Sequence, residues 1–137
     1  MRLWHKDLID VLPDKQLAGQ WRECCLIAKG LHDGTLNHLL VNKVTDYSID
    51  HLCTYAWKVA QEMKKRGKHP IWLNFYRYMP NDTGSVPDDE LFLFWHDNRY
   101  LVQCFYNLQE KADCGGVDPG EWMQIVKKCC CDLKIFD

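Results

Sequence analysis

The sequence predicts an all-α fold, a compact single-domain bundle of about four main helices joined by irregular connectors. Three observations lead there. Four stretches carry apolar residues at the three- and four-residue spacing of a helix stripe. Start and stop signals bracket those stretches. The two apolar runs left between them are too few to build a sheet. With 137 residues, 47% of them hydrophobic, the chain is long enough for one core and too short for a second independent domain.

The first long helix is expected over about Asp14 to Leu31, with Asp14 as N-cap after Pro13 and Leu17, Trp21, Cys24, Ala28 and Leu31 facing the core. Leu3, Trp4, Leu8 and Ile9 ahead of it predict a packed N-terminus. A second helix starts at the cap Ser48 and turns Leu52, Cys53, Ala56, Val59, Ala60 and Met63 inward. It ends in Lys64, Lys65 and Arg66 before Gly67, where cations suit the carbonyl end of a helix. The third is expected from about Asp88 to Asp113, with a break near His96-Asp97-Asn98, and stops at Cys114-Gly115-Gly116. The fourth opens on Asp118-Pro119-Gly120-Glu121, a capping box with proline at the first helical position. Between these lie two connectors, His32 to Tyr47 and His69 to Met79, and a loop from Pro80 to Pro87.

Composition excludes several classes. No segment approaches the roughly 18 uninterrupted apolar residues of a membrane span, and charges interrupt the start, so a soluble, cytoplasmic protein is expected. Eight cysteines without an export signal, some adjacent as in Cys24-Cys25 and Cys129-Cys130-Cys131, read as reduced thiols. Adjacent cysteines ligate one tetrahedral ion poorly, and there is no C-x-x-C pair, so no metal is expected. A phosphate-cradling glycine loop and a G-x-S-x-G elbow are both missing. The net charge of -2 creates no global field for nucleic acid, although Lys64, Lys65, Arg66, Lys68 and His69 form a local basic cluster.

The segment Leu12-Pro13-Asp14-Lys15-Gln16-Leu17-Ala18-Gly19-Gln20-Trp21-Arg22-Glu23 resembles the pyrimidine-dimer DNA glycosylases, the endonuclease V type of phages. In both, an Asp, an apolar helix stripe and an aromatic lead to an Arg-Glu pair. A weaker likeness runs from Leu52 to Gly67, with faint echoes at His96 and at Leu108-Gln109-Glu110-Lys111. The resemblance implies a helical DNA repair glycosylase with abasic-site lyase activity, acting as a monomer on damaged double-stranded DNA, with no cofactor and no membrane contact. In that family the nucleophile is the α-amine of a residue immediately before an arginine. This chain begins Met1-Arg2, and bulky Arg2 predicts that Met1 is retained. The resemblance therefore makes the Met1 amine the nucleophile and Glu23 the catalytic carboxylate. It makes Arg2 and Arg22 the groups that grip phosphates, with His5 and the Lys64, Lys65, Arg66 run on the same DNA-binding face.

The chemistry suits such groups. An α-amine has a reference pKa of roughly 7.7 to 8.0, so part of it is unprotonated near neutrality, without the shift a lysine needs. It can attack a sugar C1′, expel the base and form an imine that permits strand cleavage by elimination. A nearby carboxylate stabilises the sugar cation and moves protons. Arg22 and Glu23 splay about 100° apart on a helix and need not neutralise each other.

Two other readings stay open. A non-catalytic helical module that keeps the fold and binds a protein or small ligand is favoured by the net acidity and by Leu26, which stands where the family has a further arginine. An enzyme acting on a free nucleotide or modified base would instead need a closed pocket. The aromatic run Trp72, Phe75, Tyr76 and Tyr78 is either a stacking platform for a flipped base or the packing of a connector, which is the commoner use.

Overall fold

Leu17, Trp21, Cys24, Ile27 and Ala28 line one side of a 20-residue helix, α1 (Asp14–Asp33), and all are buried. The computed structural model describes residues 1–136, and among these every regular element is helical, as the spacing predicts. The others are α2 (Ile49–Lys65), the short α3 (Leu73–Tyr76), α4 (Asn98–Asp113) and α5 (Pro119–Lys127). Two 3₁₀ turns, Lys6–Val11 and Asn42–Asp46, and a π turn, Lys128–Asp132, complete the set. No helix among the described residues is long and apolar enough to cross a membrane.

α1 and α2 form the centre and run antiparallel. Arg66 at the end of α2 is bonded to Asp14 at the start of α1, and Ile49 lies beside Leu31 at the other end. Leu52, Ala56, Val59 and Ala60 of α2 close against the α1 stripe with at most 2% exposure. The N-terminal segment packs into the same core as expected: Leu3, Trp4, Leu8, Ile9 and Leu12 are buried. Gly34, at φ 71°, ends α1 in the left-handed region that a side chain would strain. The connector 69–79 is helical over α3, whose Phe75 is buried and whose flanking Trp72 stacks on Trp21 at 6.1 Å.

Three details differ from the expected pattern. Asp14 is the first helical residue of α1 and not its cap, because Pro13 holds the cap position. The orphan N–H of Asp14 is satisfied from elsewhere in the chain, by Glu121 Oε2 at 2.7 Å. Glu121 thus caps α1 and not its own helix, while Asp118 alone accepts the Gly120 N–H at the start of α5. The third helix begins only at Asn98, capped by the Asp97 carboxylate, which accepts the Tyr100 N–H at 2.9 Å. The residues before it cannot be helical, since Phe92 and Phe94 have φ of 50° and 74°. That turn is held by Tyr47, whose hydroxyl donates to the Leu93 carbonyl at 2.5 Å, and by His51, whose Nδ1 accepts the Phe92 N–H at 3.0 Å.

Candidate active site

A single amide organises the N-terminal segment. Gln20 points from α1 into the core and is 1% exposed. A buried polar side chain needs partners for every donor and acceptor it carries, and Gln20 finds four. Its Oε1 accepts the Trp4 N–H at 2.7 Å and lies 2.8 Å from the Tyr55 hydroxyl. Its Nε2 donates to the Arg2 carbonyl at 2.9 Å and to Glu23 Oε2 at 3.1 Å. Glu23 Oε2 also faces the Arg2 backbone N–H at 3.5 Å. Three covalent bonds separate that nitrogen from the α-amine, so the amine lies within roughly 4 Å of it. Sequence spacing turns Gln20 and Glu23 to one side of α1, and the amide orients the carboxylate towards the terminus.

Two more tethers hold Leu3 and Trp4. The Tyr100 hydroxyl, from α4, donates to the Leu3 carbonyl at 2.6 Å, and the Tyr55 hydroxyl lies 2.5 Å from the Trp4 carbonyl. His5 and His96 stack with ring centroids 5.2 Å apart. His5 Nδ1 accepts the Asp7 N–H at 3.1 Å, which leaves Nε2 to donate to the His96 carbonyl at 2.9 Å. His96 Nδ1 accepts the Lys6 N–H at 3.0 Å. These bonds need neutral imidazoles. Burial supplies that condition: it lowers the pKa of His5, and it lowers that of His96 well below the usual histidine value, helped by the charge of Lys6. Burial pushes the phenols of Tyr55 and Tyr100 up, so both stay protonated donors. The thiols of Cys24 and Cys104 are likewise raised by burial, and that of Cys129 is pushed up to about 12, which makes them packing residues and not nucleophiles.

The structure brings some of the expected site residues together and separates others. Met1, Arg2 and Glu23 share one end of the network, with Met1 40% exposed. Arg2 is half-buried, its guanidinium 5.2 Å from the Trp4 ring centre and 3.9 Å from Cys104 Sγ. Arg22 is exposed beside Glu23, on the adjacent flank of α1.

His5 is a correction. At 2% exposure, with both ring nitrogens bonded within the protein, it cannot reach DNA and serves to hold the terminus. The basic run also lies elsewhere. Arg66 is bonded to the carbonyls of Leu12 and Asp10 and to the carboxylates of Asp14 and Glu62. Lys64 sits over Trp57, with its Nζ 5.5 Å from the ring centre. Asp14 and Glu23 are nine residues apart, about 13.5 Å along α1, so Lys64, Lys65 and Arg66 lie beside the start of the helix, away from Glu23 at its middle. Arg66 is a structural clamp. The aromatic run at Trp72 packs, with Trp72 stacked between Trp21 and Tyr76.

Gln20, Tyr55 and Tyr100 carry the site's geometry and were missed by sequence reasoning, since each is an ordinary helix residue until the chain folds; His96, one of the faint echoes, joins them as a tether of residues 5 and 6. One signal was available: Gln20 falls among the apolar positions of its helix, and a polar side chain on a buried face has to be satisfied by something specific.

A family model described as pyrimidine dimer DNA glycosylase matches residues 1–76 of the chain. That stretch contains Met1, Arg2, Gln20, Glu23 and Tyr55 and ends before His96 and Tyr100. No curated protein and no solved structure matches the chain.

Proposed function

Because the chain belongs to the pyrimidine dimer DNA glycosylase family, a premise that implies damaged DNA as its partner, we propose that it removes a base and cleaves the abasic strand through an imine on its N-terminal amine. The observation that carries this reading is the Glu23 carboxylate, held by Gln20 3.5 Å from the first peptide nitrogen. The Met1 amine attacks C1′ of the damaged nucleotide, the glycosidic bond breaks, and the base leaves with its electron pair and takes a proton. Loss of an amine proton and opening of the sugar ring then give the imine. Removal of a 2′ proton expels the 3′ phosphate by elimination, and water releases the product. Glu23 faces the positive charge that develops at C1′, and it accepts and returns protons in the later steps. Preorganisation supports this role, since the carboxylate is fixed before substrate arrives.

Arg2 and Arg22 flank the carboxylate, where their charge serves the phosphates on either side of a flipped nucleotide. Both the reacting duplex and the monomeric state belong to this proposal. Duplex DNA must be bent or its base extruded to expose C1′.

The test is borohydride trapping of the untagged protein on duplex DNA bearing an abasic site, with Glu23→Gln and an N-terminally blocked protein as controls. A covalent adduct that mass spectrometry assigns to the Met1 amine, that the block abolishes and that Glu23→Gln slows by about a hundredfold or more is expected. Absence of any adduct from the folded protein with a free terminus refutes the mechanism and leaves a binding module of the same fold.

A further inference from the structure

The net charge of -2 conceals an uneven distribution. Three cations tie the fold together as ion pairs: Lys58 with Asp88 at 2.8 Å, Lys128 with Asp10 at 2.8 Å, and Arg66 with Asp14 and Glu62 at 3.0 and 2.9 Å. Three others gather on one flank of α1. A groove of about 440 Å³ runs between α1 and the end of α3, lined by Trp21, Arg22, Cys25, Lys29, Arg77 and Tyr78 among others. Three of these are cations. Among the described residues, Arg22 and Arg77 form no ion pair, and the carboxylate nearest to Lys29 is that of Asp33 at 4.0 Å. That pair is half exposed on both sides and screens little.

Position ties the groove to the reaction centre. At 100° per residue, Leu26 and Arg22 lie between Glu23 on one side and Lys29 and Cys25 on the other. Arg22 thus stands on the ridge between the carboxylate and the groove. Lys29 follows it on the same face, seven residues and about 10.5 Å further along the axis. Arg77 faces them from the end of α3, with its guanidinium 5.0 Å from the Tyr78 ring centre, which restrains its long side chain. The lining therefore offers a row of cations with aromatic surface beside it, the combination that suits a phosphodiester strand. A compact anionic metabolite would need an enclosed pocket, and this groove is open along its length.

We infer that the groove carries the sugar-phosphate backbone of the substrate strand away from the reaction centre, with Lys29 and Arg77 as phosphate contacts. The inference rests on the DNA reading above and adds two residues to it, one of them outside the matched stretch 1–76. Lys29 and Arg77 act on affinity and not on the chemical step, because the groove lies across the ridge from Glu23.

The experiment measures equilibrium binding of the full chain to duplex DNA holding a tetrahydrofuran abasic analogue, from about 50 to 200 mM salt, the range over which phosphate contacts separate by slope. Lys29→Gln/Arg77→Gln is compared with Lys64→Gln/Lys65→Gln, which removes equal charge beside the start of α1. All four side chains are exposed, so unchanged melting is the check on folding. The groove variant is expected to bind on the order of tenfold more weakly at 100 mM salt. The slope of log affinity against log salt should fall by about 2 in magnitude, close to one per cation. Trapping at saturating DNA should stay within about twofold of the parent. The control pair should keep the parent slope. A parent protein that binds DNA, with a groove variant of unchanged slope, overturns the groove and leaves the active site standing. No DNA binding by the parent overturns both. Equal competition by polyglutamate assigns the groove to an acidic protein segment instead and also overturns it.

Discussion

Replacing Gln20 by leucine tests whether one amide holds the candidate site together. The substitution keeps the volume and the buried position but removes every polar atom. The Trp4 N–H is buried and loses its acceptor at 2.7 Å, which costs about 1 to 3 kcal/mol for an unsatisfied donor. The Arg2 carbonyl loses its 2.9 Å donor but is near enough to the surface to be hydrated, at a cost of about 0.5 to 1 kcal/mol. The Tyr55 hydroxyl keeps the Trp4 carbonyl as its acceptor and adds little. The sum is about 1.5 to 4 kcal/mol. For a chain of this length the unfolding entropy is about 0.3 kcal/mol/K, so Tm should fall by about 5 to 13 °C.

Freed from the amide, the Glu23 carboxylate and the terminus lose their shared register, and misplacement of reacting groups by about 1 Å can slow chemistry about a hundredfold. Thermal melting and single-turnover trapping on abasic DNA, both below the variant's Tm, measure the two effects separately. Gln20→Glu sharpens the test. It is isosteric, yet it sets a second carboxylate where Nε2 now lies 3.1 Å from Glu23 Oε2, and should lose as much stability as the leucine variant. A Gln20→Leu protein that melts within about 1.5 °C of the parent and traps DNA at the parent rate refutes the claim that this amide positions the site.

Two further outcomes follow from the tethers and the turn. His5 and His96 are neutral in the fold, with pKa values lowered chiefly by burial from the ordinary 6.5. Their contribution is therefore present above about pH 6.5 and lost as the pH falls towards their folded values, because the unfolded chain then binds protons the fold excludes. His96 carries the larger share, so Tm measured from pH 7.5 to 5 should drop, and less steeply in His96→Gln. Equal slopes for parent and variant would contradict the neutral-imidazole tether. Phe94 is 85% exposed at φ 74°, so its side chain stabilises little while its backbone is strained. Phe94→Gly should be more stable than Phe94→Ala by about 0.5 to 1 kcal/mol in urea unfolding, and a less stable glycine variant would show that the turn is not under strain.

The helical class, the extents of α1 and α2 and the Asp118-Pro119 start of α5 were legible in the amino-acid order, because each depends on interactions within a few residues: stripe spacing, caps and φ restrictions; the packing of the N-terminus was legible only from its apolar residues Leu3, Trp4, Leu8 and Ile9. Local rules misread Asp88 to Trp95, where helical spacing of Leu91 and Trp95 was overridden by two left-handed phenylalanines that Tyr47 and His51 hold in place from other segments. They also misassigned Glu121, whose carboxylate satisfies a helix 107 residues away in sequence. Glu23 and Arg22 could be singled out from the Arg-Glu pattern of the matched family, but the pattern is silent on what orients them. Gln20, Tyr55, Tyr100 and His96 come from three helices and a turn, and their hydrogen bonds to residues 2 to 6 exist only after those elements pack. His5 and Arg66 make the same point in reverse. Along the chain each is a polar residue free to meet DNA, and only the tertiary structure, by burying one and surrounding the other with carbonyls and carboxylates, commits both to holding the fold.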